Sequence, residues 1–191
     1  MRTIILASAS PNRRKIFERL GIPFTVEESG YEEDMTLGLA PRELVQHLAL
    51  GKAQAVAARH PDALVIGADT VVVLDGKVFG KPDTPESARE MLRKLSGTMH
   101  VILTGLALVD AASGTHSTRV EETRVTFRAL SDEEITAYIE SGESFGRAGA
   151  YAIQGGGMRF VEKIEGDIDN AAGLPLAVVR EELEKFGVSE K

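Results

Sequence analysis

The chain has 191 residues, 43% of them hydrophobic and 27% charged, a composition typical of a soluble globular protein of one domain. It contains no cysteine, which excludes disulfides, thiolate zinc sites and a cysteine nucleophile, and predicts a reducing compartment, the cytoplasm. The formal net charge of −7 and the 5% of aromatic residues argue against a general affinity for nucleic acid and against a surface that stacks single-stranded bases.

The first predicted strand covers residues 2–7. Its apolar stretch is too short for a signal peptide, and no segment of the sequence approaches the length of a membrane span. A helix is predicted to begin at Pro11, with Ser10 as its N-cap. The free N–H groups of a helix that follows a strand can bind an anion, and Ser8, Ser10 and Arg13 would line such a site. The alternative, which this stretch alone favours, is ordinary capping beside surface arginines.

An acidic loop and a long helix come next. A short strand over residues 24–28 precedes the acidic triplet at residues 32–34, which is typical of a solvated loop. The alternative is a ligand for a hard cation, since such cations require carboxylate oxygens. Apolar residues at helical spacing predict a helix over residues 41–59. Lys52 lies on this helix and, taken alone, is typical of a surface lysine.

The most informative stretch covers residues 64–82. Its apolar, β-branched run predicts a buried strand, which Asp69 interrupts. A buried carboxylate is unfavourable unless it is paired, so Asp69 is either a structural residue satisfied by a salt bridge or backbone N–H groups, or part of a site. Asp75 and Gly76 predict a hairpin turn. The return strand would carry Lys81 back along the strand of Asp69, where an acid and a base could together hold a metal and a phosphate.

The rest of the chain continues the alternation of helices and strands. The predicted elements are a helix over residues 83–96, a hairpin with strands 101–109 and 120–127, a helix capped by Ser131, a strand over residues 159–164 and a last helix ending near residue 186. The glycine-rich segment 147–157 is typical of a flexible turn, or of backbone that approaches a ligand closely. Residues 187–191 are expected to be frayed. The pattern predicts one α/β domain, residues 1–191, with a mixed sheet.

The common nucleotide-binding and catalytic motifs are absent from the sequence. Between Gly76 and Gly80 lie three residues rather than four, and Pro82 follows Lys81, so this segment is not a P-loop. The four histidines have no metal-ligand spacing. A nucleophilic serine near the first helix would lack both an obvious histidine partner and a nucleophile-elbow sequence.

Four short segments, taken in order, carry a resemblance to a known family. They are Leu6-Ala7-Ser8-Ala9-Ser10-Pro11 with Arg13; Gly67-Ala68-Asp69-Thr70-Val71-Val72 with Gly80-Lys81-Pro82; Ala148-Gly149-Ala150-Tyr151 with Ile153-Gln154-Gly155; and Gly173-Leu174-Pro175-Leu176. Further matches are Lys52-Ala53 and Leu95-Ser96-Gly97 with His100 and Thr104. Each segment alone is a weak signal, but the ordered set resembles the Maf family of nucleotide pyrophosphatases over nearly the whole chain.

The resemblance implies a two-lobed α/β fold akin to the inosine triphosphatase type, with helices flanking a mixed sheet and a substrate cleft between the lobes. It implies a hydrolase that cleaves a nucleoside triphosphate to the monophosphate and pyrophosphate with a divalent metal, Mg²⁺ or Mn²⁺. Family members are also linked to inhibition of septum formation and are often dimers. The resemblance is thus compatible with a homodimer, and it implies a nucleotide substrate, with neither nucleic acid nor membrane as a partner.

The resemblance also implies roles for individual residues. Asp69 matches the catalytic base, and Glu33 matches the acidic residue beside the metal. Both carboxylates would bind the metal, and the division of the two roles between them is left open. The positions that match polar and basic residues for the phosphates are Ser8, Ser10, Arg13, Lys52 and Lys81, and those associated with base selection are Asn12, Thr70 and Gln154.

The Asp-Thr-Val sequence at Asp69 with the later Gln154 resembles the branch that acts on dTTP and UTP, with CTP or modified pyrimidine nucleotides as further candidates. Asn12 departs from the Ser-Pro-Arg-Arg form typical of that branch. Gly146 and Ile168 also depart from the family pattern, which commonly has Asp and an aromatic residue there. The alternatives are a pyrophosphatase of the sister branch that acts on 7-methyl-GTP, and a non-enzymatic regulator of septum formation.

Overall fold

The computed structural model describes residues 2–188 and contains α-helices and β-strands in alternation. In chain order they are β1 (Thr3–Ala7), α1 (Pro11–Glu18), β2 (Thr25–Glu27), α2 (Pro41–Ala57), β3 (Ala63–Leu74), β4 (Lys77–Phe79), α3 (Pro85–Leu95), β5 (Met99–Asp110), β6 (His116–Phe127), α4 (Asp132–Glu140), β7 (Val161–Glu165), α5 (Ile168–Ala171) and α6 (Leu176–Lys185). Two short 3₁₀ turns, Ala148–Ala150 and Gly156–Phe160, lie between α4 and β7.

The strands within residues 2–188 form one mixed sheet in the order β2-β1-β3-β5-β6-β7, with β4 paired to β3. Strand β1 pairs in parallel with β2 and β3, whereas the β3–β4 and β6–β7 pairs are antiparallel. Ala7 lies opposite Glu27 on one side and opposite Gly67 on the other. The prediction of an α/β fold with a mixed sheet flanked by helices is confirmed.

The described residues divide into two compact units. The first unit comprises the described residues up to Asp69, Thr104–Glu121 and those from Gly173 onward. The second unit comprises Thr70–Leu103 and Glu122–Ala172. Three of the four boundaries fall inside strands β3, β5 and β6, and the fourth lies between α5 and α6.

In the first unit, helix α2 lies in backbone contact with strands β3 and β5. A Cβ atom added at Gly67 would lie 2.3 Å from the carbonyl oxygen of Ala49, and one added at Gly105 would lie 2.1 Å from that of Val45. Such distances leave no room for any side chain. Because a helix backbone cannot move closer than contact, these two glycines fix the height of α2 above the sheet.

The hairpin predicted at Asp75 and Gly76 is present, and both residues have positive φ angles, of 49° and 75°. Its return strand is shorter than predicted, since β4 ends at Phe79 and Lys81 is not part of the ladder. The carbonyl of Gly80 instead accepts a hydrogen bond from the N–H of Gly149, at 3.0 Å. The prediction that a return strand carries Lys81 is therefore wrong, because the chain leaves the ladder before that residue.

Other local predictions have mixed outcomes. Ser131 caps α4 in the predicted capping box with Glu134. The loop predicted near Asn170 contains a short helix, α5, because Asp167 caps it. The backbone N–H of Val188 donates to the carbonyl of Leu183. The remainder of the predicted frayed tail, residues 189–191, lies outside the described residues.

The helices of the described part of the chain include none with the length and apolar character required to cross a membrane.

The core of the second unit contains a cluster of aromatic rings around His100. The His100 ring packs edge-on against Phe127 and Tyr151, at centroid distances of 4.8 and 5.6 Å. His100 is 1% exposed, and its Nε2 atom forms a 2.8 Å hydrogen bond with the Tyr151 hydroxyl. Burial lowers the pKa of His100 to about 4 and raises the pKa of Tyr151. The histidine is therefore neutral in the folded protein at neutral pH.

This buried histidine makes the stability depend on pH. In the unfolded chain the imidazole binds a proton near its ordinary pKa of 6.5, and in the folded protein only near 4. The unfolded state thus binds more protons between these values, so the free energy of unfolding falls as the pH drops from 6.5 to 4, by about 3 kcal/mol in all. We expect His100→Gln to remove this component. Urea unfolding of both proteins between pH 7 and pH 4.5 measures it, and parallel pH curves would contradict the assignment.

Candidate active site

Strands β1 and β2 end at one edge of the sheet, where β3 continues past its last residue paired with β1, and the predicted polar residues of the first unit lie there. Ser8 and the N-terminus of α1 follow β1, and the acidic loop, which we define as residues 28–40, follows β2. Strand β3 reaches Asp69 two residues beyond Gly67, its last residue paired with β1. Ligands of open α/β sheets commonly bind at the carboxyl ends of the strands, so this edge is the candidate site.

The ammonium group of Lys52 joins two carboxylates at this edge. Lys52 Nζ lies 2.6 Å from Asp69 Oδ1 and 2.8 Å from Glu33 Oε1. The side chains of Asp69 and Lys52 are 8% and 10% exposed, whereas that of Glu33 is 31% exposed. Buried charges persist only when they are paired, which explains the acid in an apolar strand. The interpretation of Lys52 as a surface lysine is wrong, and Glu33 is more than a solvated loop residue.

The geometry of α2 and β3 brings Lys52 to Asp69. Side chains on a strand alternate between faces, so Asp69 lies on the same face as Gly67, the face against which α2 packs. An added Gly67 Cβ would meet Ala49 O and Ala53 N, which places Lys52 in the turn of α2 that touches the strand. From there the Lys52 side chain reaches Asp69, two residues beyond Gly67 on β3. Thr70, by the same alternation, lies on the opposite face from Asp69.

The N-terminus of α1 is capped as predicted. Ser10 Oγ accepts a hydrogen bond from the Arg13 N–H at 3.4 Å, and Ser8 Oγ accepts one from the Ser10 N–H at 3.1 Å. Asn12 is half-buried in the first turn of the helix. Ser8 and Ser10 therefore lie beside the N–H groups of a helix N-terminus, and their role in binding phosphate stays a prediction.

Arg13 is not a surface arginine. Its Nε donates a 2.8 Å hydrogen bond to the carbonyl of Gly173, whose φ of 106° favours glycine. Loss of water around the guanidinium lowers the pKa of Arg13, and the negative charges of Asp69 and Glu33 oppose this shift. The guanidinium thus belongs with Lys52, Asp69 and Glu33 to one group, which we call the charged cluster. The contact with Gly173 gives a structural reason for one segment of the resemblance, and sequence reasoning had not identified it.

The remaining predicted residues, Thr70, Lys81 and Gln154, belong to the second unit. Lys81 and Gln154 are exposed, and Thr70 is half-buried on β3. Thr70 shares a strand face with Val72, part of the core of the second unit.

The donor set fits a hard divalent cation that is held partly by its substrate. Within residues 2–188 no group of three or more His, Cys, Asp or Glu side chains is arranged to hold a metal ion. Glu33 and Asp69 nevertheless present two carboxylates to one shared positive charge. Mg²⁺ is usually bound through one or two carboxylates together with waters and substrate phosphates, not in an all-protein cage.

Removing the lysine charge should destabilise the fold. Lys52→Met leaves the buried Asp69 carboxylate without its ammonium partner, and we expect a loss of about 3 kcal/mol in the free energy of unfolding at pH 7. Lys52→Met/Asp69→Asn should lose less, because position 69 then carries no buried charge that requires the ammonium. Lys15→Met, at an exposed position on α1, is the matched control and should change stability by less than about 0.5 kcal/mol. Urea unfolding measures all three. Equal losses in the single and double variants would contradict the pairing.

Comparison with known proteins identifies the family. The model of the Maf-like protein family matches residues 3–186. A dTTP/UTP pyrophosphatase of Moorella thermoacetica is 50% identical over 188 residues, covering 98% of this chain and 97% of that one. The protein of the same name from Pelotomaculum thermopropionicum is 49% identical, covering 98% of both chains, and that from Halalkalibacterium halodurans is 44% identical, covering 100% of both. Among solved structures, the Staphylococcus aureus Ham1 protein aligns with a TM-score of 0.48 at 16% identity, over 66% of this chain and 72% of that one, a likeness too weak to support an inference. The family model and the curated relatives show that this chain belongs to the Maf family.

Proposed function

We propose that this chain is a nucleoside triphosphate pyrophosphatase that hydrolyses dTTP and UTP to the monophosphate and pyrophosphate. The observation that carries the proposal is the Lys52 ammonium held between Asp69 and Glu33, beside the carboxyl ends of the parallel strands β1 and β2. Relatives about half identical over 98% of the chain are named dTTP/UTP pyrophosphatase, which favours this substrate over 7-methyl-GTP and favours an enzyme over a non-enzymatic regulator of septum formation.

The phosphate groups would be held by cations and by N–H donors. A triphosphate carries several negative charges that repel an attacking water, so the site must neutralise them and orient the water. Lys52 and Arg13 are the cations of the first unit that share this cluster. Ser8, Ser10 and the N-terminus of α1 would add neutral donors. Lys81 is assigned to the phosphates by the resemblance.

Asp69 would act as the general base. It would accept a proton from water as the water oxygen bonds to one phosphorus of the α–β anhydride and the bridging P–O bond breaks, releasing pyrophosphate. In the described structure Asp69 Oδ1 accepts a hydrogen bond from the Lys52 ammonium at 2.6 Å. Arrival of the phosphates would draw the ammonium away and make the carboxylate available.

A divalent cation, Mg²⁺ or Mn²⁺, would supply charge neutralisation and activation of water when bound by Glu33 and Asp69. The two carboxylates and two cations of the cluster balance one another, so the charge of a triphosphate calls for an additional cation.

The resemblance assigns selection of the nucleotide base to Asn12, Thr70 and Gln154. Their side chains can donate and accept hydrogen bonds, and a site built on such bonds discriminates against bases that leave them unpaired. A protein that acts on free nucleotides requires no basic surface for nucleic acid, in keeping with the net charge of −7.

Replacing the base should remove most turnover without unfolding the protein. Asp69→Asn should lower kcat for dTTP about 10²- to 10⁴-fold, the usual effect of losing a general base. The measurement is release of pyrophosphate against orthophosphate in a nucleotide screen that includes dTTP, UTP, CTP and 7-methyl-GTP, with Mg²⁺ and with Mn²⁺. Asp75→Asn, at the exposed hairpin turn, is the matched control and should retain wild-type kcat.

Two results would overturn the proposal. A wild-type protein that releases no pyrophosphate from any nucleotide with either metal is not this enzyme. An Asp69→Asn variant with near-wild-type kcat and an unchanged far-ultraviolet spectrum would remove Asp69 from the chemistry.

Asn12 gives a test of base preference. Asn12→Arg places a side chain that only donates hydrogen bonds at this position, and both dTTP and UTP present a carbonyl where CTP presents an amino group. We expect the ratio of kcat/KM for UTP over CTP to rise by about tenfold, the scale of one matched against one unmatched hydrogen bond. An unchanged ratio would show that Asn12 does not select the base.

A further inference from the structure

The aromatic ring of Tyr31 fills the space beside a glycine inside helix α2. A Cβ atom added to Gly51 would lie 2.4 Å from Tyr31 Cζ, so any side chain at that position would displace the ring. The Tyr31 hydroxyl forms a 3.2 Å hydrogen bond with His47 Nε2, one turn earlier on the same helix. Glycine lowers the stability of a helix interior relative to alanine, and its presence here has a packing reason, the tyrosine ring.

The start of the acidic loop is attached to the same helix region. The guanidinium of Arg59, just beyond the end of α2, donates to the carbonyl oxygens of Glu28 and Ser29, at 3.1 and 3.2 Å. It also forms an ion pair with Glu27 at the end of β2. The loop therefore leaves the sheet in a direction fixed by Arg59 and touches α2 again at Tyr31.

Both residues of the ring contact are close in sequence to members of the charged cluster, one on the acidic loop and one on α2. Tyr31 is two residues before Glu33, and Gly51 immediately precedes Lys52. The ring contact and the Glu33–Lys52 ion pair of 2.8 Å thus join the same loop to the same turn of helix. Glu33 is the less buried of the two acids and lies on a loop, so its position depends on how that loop is held.

We propose that Tyr31 and Gly51 are positioning residues, which act together to hold the acidic loop so that the Glu33 carboxylate faces Lys52 and the bound polyphosphate. The ring packed on the glycine sets the position of the loop, and the ion pair sets the orientation of the acid. This inference rests on the proposed function for its catalytic consequence, but the anchoring itself can be measured without any substrate.

The test compares Gly51→Ala, Tyr31→Ala and the double variant. Hydrogen exchange of residues 29–39 should become faster in both single variants, while exchange in α2 stays slow. The melting temperature of Gly51→Ala should stay equal or rise, because alanine favours a helix. Its kcat for dTTP should nevertheless fall by roughly tenfold to a hundredfold, the usual result of a displaced catalytic group.

Coupling between the variants separates positioning from general damage. The methyl group of Gly51→Ala acts only by displacing the ring, so it should have no further effect on kcat in the Tyr31→Ala background. Neither substitution should lower kcat further in a Glu33→Gln background, because their effect passes through that acid. Tyr31→Phe, which keeps the ring, should be faster than Tyr31→Ala. Glu32→Gln, at the neighbouring exposed acid, is the control for charge and should retain wild-type kcat.

The outcomes distinguish this inference from the proposed function. Unchanged exchange of residues 29–39 in Gly51→Ala and Tyr31→Ala overturns the anchoring, whatever the activity. Faster exchange with wild-type kcat, or additive losses in the double variant, overturns the positioning role while the pyrophosphatase proposal stands. If the wild type releases no pyrophosphate, the proposed function fails and the catalytic role of Tyr31 fails with it, whereas the exchange result still decides the anchoring.

Discussion

The buried lysine ammonium shared by two carboxylates is the interaction on which the organisation of the first unit depends. An acid in an apolar strand requires a cation, and the cation must come from a side chain whose backbone is close by. Helix α2 supplies Lys52 because glycine lets its backbone touch β3. The acidic loop then adds Glu33, the more accessible of the two acids. Side chains from strand β3 and from the acidic loop thus both contact the ammonium group that helix α2 provides.

The cluster contains charges of both signs, and under the proposed function these would be redistributed when a charged ligand binds. Lys52 and Arg13 lie in the field of Asp69 and Glu33, so the acids and bases neutralise one another in the absence of ligand. Under the proposed function, a polyphosphate with a divalent cation would bring both signs of charge and would exchange partners with each group. Such an exchange would leave each buried charge with a partner of opposite sign, which is the condition for keeping it buried.

Local features could be predicted from the sequence, and distant partners could not. The capping by Ser10 and Ser131 and the turn at Asp75 depend on neighbouring residues, so short patterns revealed them. The partner of Asp69 lies 17 residues away on a helix, where composition alone predicted a surface lysine. The length of the strand after the turn depended on a hydrogen bond of Gly80 with Gly149, which no local pattern contains. An isolated glycine inside α2 was the one available sign of the contact with Tyr31.

The two strand glycines beneath α2 have a consequence for the construction of chimaeras from related proteins. A carbon added at Gly67 or Gly105 would lie closer to a carbonyl oxygen of the helix than the sum of the two van der Waals radii. A transplanted strand with alanine at either position would therefore lift the helix. The length of a lysine side chain is fixed, and a raised helix would withdraw its ammonium from Asp69. Helix α2 and strands β3 and β5 are therefore one exchangeable module, to be moved between homologues together or not at all.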